Sequence, residues 1–370
     1  MHVLPDVELV ELLDSFADGV YVCDTKRRIT YWSKSAEQIT GWRAEEVVGR
    51  HCYDGILCHE DMDGHRLCGG EYCPLHRAMV TQRSSEEPKL VYLLRRDGRK
   101  LAAQTMVSPV RDASGTVIGG VEVFRNVDGA VRDLEKARRI QTLLLPKDLP
   151  HDERIGFSCL FVPQEVVSGD FYAIEQIGPD SYGIVLADVM GHGTAAALYT
   201  MYLSSIIARF RGLLDEPARF VGRLNEELSR VIDEDTTFAT AVTATVDLAR
   251  GKLRFAGGWG PPIVRTTRSG DSEYHECRGL PLGLVADFQY EQGECDIAPG
   301  DSLLFFSDGA TEVRNRAGEM LGVGGFLAML LEQGYPQVVP NWAAIDEGLL
   351  KYSDSIRLDD DVTIVEARLT

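Results

Sequence analysis

Long apolar runs are missing from this 370-residue chain. Strand-length runs such as 302–306 fall far short of the roughly 20 residues that span a bilayer. The N-terminus has no basic stretch leading into an apolar core, so no signal peptide is expected and the chain reads as cytoplasmic. Positive charge is also scarce. The chain has 38 Lys and Arg against 57 Asp and Glu, a formal net charge of -19. Such a surface repels phosphate backbones, which argues against nucleic-acid binding. Any phosphate chemistry would therefore have to import cations. No glycine-rich nucleotide loop opens a helix, no basic phosphate clamp is visible, and there is no internal repeat or low-complexity tract. The eight cysteines include no tight Cys-x-x-Cys pair.

The balance of 44% hydrophobic and 26% charged residues is that of a soluble globular protein long enough for two domains. Three segments are expected, 1–127, 128–150 and 151–370. In the first, alternating residues at 18–24 and 28–32 predict a hairpin, and 35–39 a short helix ending near Gly41. Strands are predicted at 89–95 and 100–107 around the Arg96-Asp97-Gly98-Arg99 turn, followed by a further pair at 110–112 and 117–125. This is an α+β pattern. In the second segment, Val127, Val131, Leu134, Ala137 and Ile140 or Gln141 recur every three or four residues until Pro146 and Pro150. That predicts an amphipathic connector helix, suited either to a two-stranded coiled coil or to packing on a neighbouring domain. The third segment alternates strands (182–188, 240–247, 252–256, 302–307, 362–367) with helices (194–210, 217–232).

Four aspartates stand at the edges of strand-like runs. They are Asp170 in Ser168-Gly169-Asp170-Phe171-Tyr172, Asp188 in Asp188-Val189-Met190-Gly191-His192-Gly193, Asp308 in Phe306-Ser307-Asp308-Gly309, and Asp360 in Asp359-Asp360-Asp361. Taken singly, each is an ordinary turn or cap residue. Brought together, they would repel unless divalent cations neutralised them, and hard carboxylate oxygens suit Mg2+ or Mn2+.

The first segment resembles a PAS sensor domain through Asp18-Gly19-Val20, Ile29-Thr30-Tyr31-Trp32, Ala36-Glu37-Gln38-Ile39-Thr40-Gly41-Trp42, Val48-Gly49-Arg50 and Ile118-Gly119-Gly120-Val121. From Gln141 onward the chain resembles the SpoIIE-like branch of the PPM phosphatases. Gln141-Thr142-Leu143-Leu144-Leu145-Pro146, Pro163, the four aspartate motifs, Ala310-Thr311-Glu312 and Asp360-Asp361-Val362-Thr363 carry that resemblance. It implies a PPM-type αββα sandwich with two Mn2+ or Mg2+ ions between the sheets. Asp188 would bridge the metals, the Val189 carbonyl would complete one coordination sphere, and Asp170, Asp308 and Asp360 would supply the remaining ligands. Asp361 is the alternative to Asp360 in the run of three. Water activated between the metals would attack phosphorus in line, without a phosphoenzyme. The implied substrates are phosphoserine or phosphothreonine proteins, commonly STAS-domain anti-anti-sigma factors. His192 is read as a loop-positioning residue, with general acid as the alternative. Gly257-Gly258-Trp259-Gly260 departs from the family's Ala-Gly-His and bears on substrate or lid contacts.

Cys52, Cys58, Cys68 and Cys73 crowd into the first segment with His51, His59 and His76. Four thiolates could hold Zn2+ or an iron–sulfur cluster, a thiol–disulfide switch is the next option, and buried thiols with no ligand the third. The combined expectation is a phosphatase controlled by a small molecule, metal or redox state at the PAS-like domain, dimerising through its connector. Two rivals are a catalytically weak phosphatase fold that docks a STAS partner, and a PAS-linked nucleotide cyclase or histidine kinase. The cyclase is suggested by Val167-Ser168-Gly169-Asp170-Phe171 and opposed by the missing nucleotide loop.

Overall fold

The computed structural model describes residues 9–62, 64–191, 193–231, 237–355 and 357–370. They fall into two compact units divided between Asp133 and Leu134.

The N-terminal unit contains α1 (Leu9–Asp14), β1 (Gly19–Asp24), β2 (Ile29–Trp32), α2 (Lys34–Thr40), α3 (Ala44–Val47), α4 (Pro74–Thr81), β3 (Lys89–Leu94), β4 (Lys100–Arg111) and β5 (Val117–Asn126). The strands form one antiparallel sheet in the order β2-β1-β5-β4-β3. Local chemistry fixes the element ends. The Ser33 hydroxyl accepts the Ala36 N–H and starts α2, and Gly41 stops it in the left-handed conformation at φ 79°. Tyr21, Trp32 and Phe124 meet with ring centroids 5.6 to 6.5 Å apart and form the centre of the core.

Sequence periodicity splits 100–112 into two strands at Pro109, whereas the structure runs β4 through it. Pro109 pairs with Gly120 of β5, and the ladder with β3 has already ended at Thr105, so the missing proline N–H breaks no sheet bond.

Helix α5 (Asp128–Leu144) follows, and the division between the units lies within it. The C-terminal unit then contains β6 (Ile155–Val162), β7 (Asp170–Gly178), β8 (Ser181–Val189), α6 (Thr194–Phe210), α7 (Pro217–Leu228), β9 (Ala239–Asp247), β10 (Lys252–Gly258) and β11 (Ile263–Thr266). It continues through β12 (Ser272–His275), β13 (Gly293–Asp296), β14 (Ser302–Phe306), α8 (Gly322–Glu332), α9 (Trp342–Ser353) and β15 (Val362–Leu369). Two antiparallel sheets have the orders β13-β10-β9-β8-β7 and β12-β11-β14-β15-β6. The expected helix at 217–232 is described only to Leu228, and Ile232 lies outside the described residues.

Strand β14 shows how the layers arise. Leu303 and Phe305 join a core with Ile184 and Leu186 of β8, Leu203 and Ile206 of α6, and Phe220 and Leu224 of α7. Leu304 and Phe306, on the opposite face, join Phe326 and Leu330 of α8 and Ile345 and Leu349 of α9. A strand buried on both faces has to be apolar throughout, and each such side chain contributes about 1.5–3 kcal/mol on burial. The result is a helix–sheet–sheet–helix sandwich. Among the described residues no helix is long and apolar enough to cross a membrane.

Candidate metal centre

Asp170 is the first residue of β7 and Asp188 the penultimate residue of β8, and the two are register partners across that ladder. In the other sheet, Asp308 follows the end of β14 and Asp360 precedes β15, its antiparallel neighbour. The strand ends therefore gather all four carboxylates at one end of the sandwich.

Backbone constraints hold them there. A Cβ on Gly309 would lie 2.0 Å from the Asp361 carbonyl oxygen, so only glycine lets the chain follow Asp308 past β15. A Cβ on Gly169 would lie 2.8 Å from the Val189 carbonyl oxygen, and the Val189 N–H donates to the Gly169 carbonyl at 3.0 Å. The Ser168 hydroxyl accepts the Asp170 N–H at 3.0 Å. Ser168 is itself gripped by buried Gln141 of α5, which accepts its N–H at 3.0 Å, donates to its carbonyl at 2.6 Å and donates to the Thr200 hydroxyl of α6 at 2.8 Å. Asp361 is buried, and its two oxygens accept the N–H groups of Gln164 and Gly169 at 2.5 and 2.6 Å. It clips the turn before β7 in place, while Asp360 lines the cleft.

That cleft has a volume of about 510 Å3, within the range of ligand sites. Asp188, Asp308, Asp359, Asp360 and Glu312 supply its acidic wall, and Phe238, Trp259, Pro261 and Pro262 its apolar one. Among the described residues no Lys or Arg lines it. Glu312 and Asp359 had no role assigned from sequence, although Glu312 stands four residues after Asp308 and its N–H bonds the Asp308 carbonyl at 2.7 Å. Trp259 is 69% exposed in the left-handed region at φ 56° and stands at the rim. His192 lies outside the described residues.

The electrostatics are those of an uncompensated anion cluster. Asp170 is 1% exposed, and neither of its carboxylate oxygens has a well-formed hydrogen bond. The Ser307 and Thr363 hydroxyls nearby ease its burial only partly. Burial first, then the charges of Asp188 and Asp361, raise its pKa well above the carboxylate range. Burial, then Asp308, Asp360 and Asp361, do the same to Asp188. Asp308 is raised chiefly by burial, shares a hydrogen bond with Asp188 and leaves Oδ1 unpartnered. Asp360 is pushed up to about 6 by desolvation and by its acidic neighbours. Because its side chain is open to solvent, screening weakens that effect, and buried Asp170 and Asp188 carry more of the cost. Buried carboxylates without partners fit a cationic group. Among the described residues, no three or more His, Cys, Asp or Glu side chains converge as they do around a bound ion.

The N-terminal cysteines are arranged differently from the expected four-thiol site. Cys52, Cys68 and Cys73 are buried close to Cys23 and His59. Cys58 is only half-buried. Its thiol donates to the Tyr53 carbonyl at 3.5 Å and lies 3.7 Å from Arg66 Nη2. Cys58 therefore does not join the others. The Cys73 thiol is lowered to about 6, foremost by a hydrogen bond from Cys68, against the opposing effect of burial.

A helix–sheet–sheet–helix sandwich with an acidic cleft at the strand ends defines a PP2C-like domain. Residues 178–370 match the family model described as Stage II sporulation protein E (SpoIIE), and the chain belongs to that family. Residues 8–127 match the PAS fold, so a PAS domain precedes a SpoIIE-type PPM phosphatase domain. The chain is 28% identical over 186 residues to the phosphoserine phosphatase RsbP of Bacillus subtilis, covering 49% of this chain and 45% of that protein. It is 28% identical over 256 residues to the phosphoserine phosphatase RsbU of the same organism, covering 67% of this chain and 73% of that protein. The match thus spans less than half of RsbP. The SiaA-PP2C domain of Pseudomonas aeruginosa superposes with a TM-score of 0.57 at 25% identity, covering 65% of this chain and 98% of that domain.

Proposed function

We propose that the protein is a signal-regulated phosphoserine/phosphothreonine protein phosphatase that acts in the cytoplasm on a phosphorylated STAS-domain partner under control of its PAS domain. The observation that carries this reading is the buried carboxylate of Asp170, without a well-formed hydrogen bond, paired across the ladder with Asp188, which lines an acidic cleft with no Lys or Arg among the described residues. Two Mn2+ or Mg2+ ions held there would supply Lewis-acid charge for phosphoryl oxygens and make attacking water more acidic. Asp170, Asp188, Asp308 and Asp360 are the side chains that would hold them, with the Val189 carbonyl as a further oxygen.

The remaining work belongs to the chain. Asp361 takes the backbone N–H groups of Gln164 and Gly169 rather than facing the cleft, which supports Asp360 as the ligand of the run. Burial and the acidic neighbours favour the protonated form of Asp188, so cations entering there would displace protons. Trp259, Pro261 and Pro262 offer an apolar rim for the peptide around the phosphorylated residue. Gln141 links α5 to the turn carrying Asp170, giving a signal that moves the helix a route to the site. Ile140, Leu143 and Leu144, exposed on α5 one turn apart, support dimerisation through this helix.

The test is phosphate release from a phosphoserine STAS protein and from a chromogenic phosphomonoester, with Mn2+ and with chelator. Mn2+-dependent turnover that is lost in Asp188→Asn supports the phosphatase. Folded protein that binds the STAS partner but releases no phosphate with Mn2+ from either substrate overturns it in favour of a docking module.

A further inference from the structure

Phosphoester chemistry leaves a second cluster of ionisable groups unused, deep in the N-terminal unit. Tyr21 lies on β1, Cys52 and His59 between α3 and α4, Cys68 and Cys73 just before α4, and Glu122 on β5. Each is less than a tenth exposed, and all the cysteines are free thiols. So many polar groups in an apolar core need partners, and the partners found are specific.

His59 is the pivot. Its Nδ1 lies 3.4 Å from Cys68 Sγ, and that sulfur also accepts the His59 backbone N–H at 3.1 Å. On the other side of the ring, Nε2 lies 3.1 Å from Glu122 Oε1. That contact is close but badly aligned, so neither atom has a well-formed hydrogen bond. The other Glu122 oxygen accepts the Tyr21 hydroxyl at 2.8 Å. The Cys73 thiol is near enough to Cys68, and the Cys52 thiol near enough to the Tyr21 hydroxyl, for the members of each pair to shift one another's titration.

We propose that His59 Nδ1, Cys68 and Cys73, with Cys52 as fourth donor, form a binding site for a thiophilic divalent cation, zinc above all, inside the PAS domain. The geometry of the one formed edge supports it. A tetrahedral ion with bonds of about 2.3 Å to sulfur and about 2.0 Å to nitrogen separates those two atoms by roughly 3.5 Å. The observed separation of Nδ1 and Sγ is 3.4 Å. The imidazole turns one nitrogen to thiols and the other to a carboxylate, which is how ligating histidines are oriented and their tautomer fixed. Tyr21 locks that carboxylate in turn. The donors do not yet converge as a closed site. Closure requires the Cys52 and Cys73 thiols to turn toward His59 Nδ1 and Cys68 Sγ by side-chain rotation. Thiol protons leave to solvent as the cation enters, and no electrons are exchanged. A mixed sulfur and imidazole set selects zinc over Mg2+ or Mn2+. Cys58 stays outside the site, its thiol bonded to the Tyr53 carbonyl instead.

The experiment uses the full chain purified without chelator, with metal measured by mass spectrometry and by chromogenic release after thiol modification. About one zinc per chain is expected, consistent with a structural site. It should be lost in Cys68→Ser and Cys73→Ser and retained in Cys58→Ser. Glu122→Gln should weaken affinity by roughly 10- to 100-fold. Because a ligand variant can simply fail to fold, Co2+ loading of the unaltered protein supplies an independent readout. Sulfur-to-cobalt charge-transfer absorption with tetrahedral ligand-field bands supports the site. The acidic cleft of the phosphatase domain has no sulfur ligand and cannot produce that charge-transfer band. Folded protein that retains no zinc and shows no such band overturns the proposal. A Cys68–Cys73 disulfide in that protein, or iron–sulfur absorption that vanishes in Cys58→Ser, also overturns it.

Discussion

Asp170 and Asp188 are register partners across β7 and β8, and neither carboxylate oxygen of Asp170 has a well-formed hydrogen bond. Like charges opposed across a ladder destabilise a sheet by up to about 1 kcal/mol, and more out of water. Asp170→Asn should therefore raise the melting temperature of the chelated protein while lowering phosphate release by roughly 100-fold or more. Calorimetry with chelator and a phosphate assay with Mn2+ check the two halves. A chelated variant that melts earlier than the unaltered protein would contradict the first.

The pH dependence of stability follows from the same pair. Asp170 and Asp188 hold protons more tightly in the folded chain than in the unfolded one, where carboxyls titrate near 3.9. Their favourable contribution is complete below that value and is lost as pH rises through their raised folded pKa values. Chelated protein should lose stability from about pH 4 upward, through the value of about 6 for Asp360 and on to those of the buried pair. Saturating Mn2+ should flatten the slope. Asp152, held low by the Arg154 guanidinium and the Tyr182 hydroxyl, acts only below this window. Melting curves from pH 4.5 to 8 measure the slope, and an unchanged slope in Asp170→Asn would contradict the assignment.

Gly309→Ala places a methyl group 2.0 Å from the Asp361 carbonyl oxygen. Relief requires β15 or Asp308 to move, at a cost of roughly 1–3 kcal/mol. A lower melting temperature and weaker Mn2+ binding are expected together. Full Mn2+ affinity in the variant would show that Asp308 takes no part in the site.

Gln141→Leu removes the side chain that satisfies both backbone groups of Ser168. Leaving them buried and unpaired costs about 1–3 kcal/mol. With the turn before Asp170 loosened, the Mn2+ concentration for half-maximal phosphate release should rise, and excess Mn2+ should recover most of the rate. A rate loss that no Mn2+ concentration repairs would place Gln141 outside metal positioning.

The sequence was most legible where periodicity and burial agree. The stretch 194–210 reads as a helix and forms α6, and the apolar run ending in Asp188 reads as a strand and forms β8. Less legible were elements defined by their partners. β6 takes its place through pairing with β15, at least 200 positions away, and α8 and α9 matter because they cover the outer face of β14. β4 runs on through Pro109 because only one neighbour is present there. Motif spacing left Asp360 and Asp361 open as alternatives, and the backbone bonds of Asp361 are visible only once the chain has folded. Among the cysteines, counting thiols gave equal weight to Cys58 and none to Glu122. His59 and Glu122 stand 63 positions apart in the chain, so their contact could not be read from spacing.

If Asp170, Asp188, Asp308 and Asp360 hold divalent cations, chelator-treated protein must take up Mn2+, and titration calorimetry measures that uptake. Repeating the titration in buffers of different ionisation enthalpy counts the protons released. Saturable binding of two Mn2+ ions per chain with proton release at neutral pH is expected, abolished by Asp188→Asn. Folded protein that takes up no Mn2+ at millimolar concentration, or an Asp188→Asn variant that binds as tightly as the unaltered chain, would contradict it.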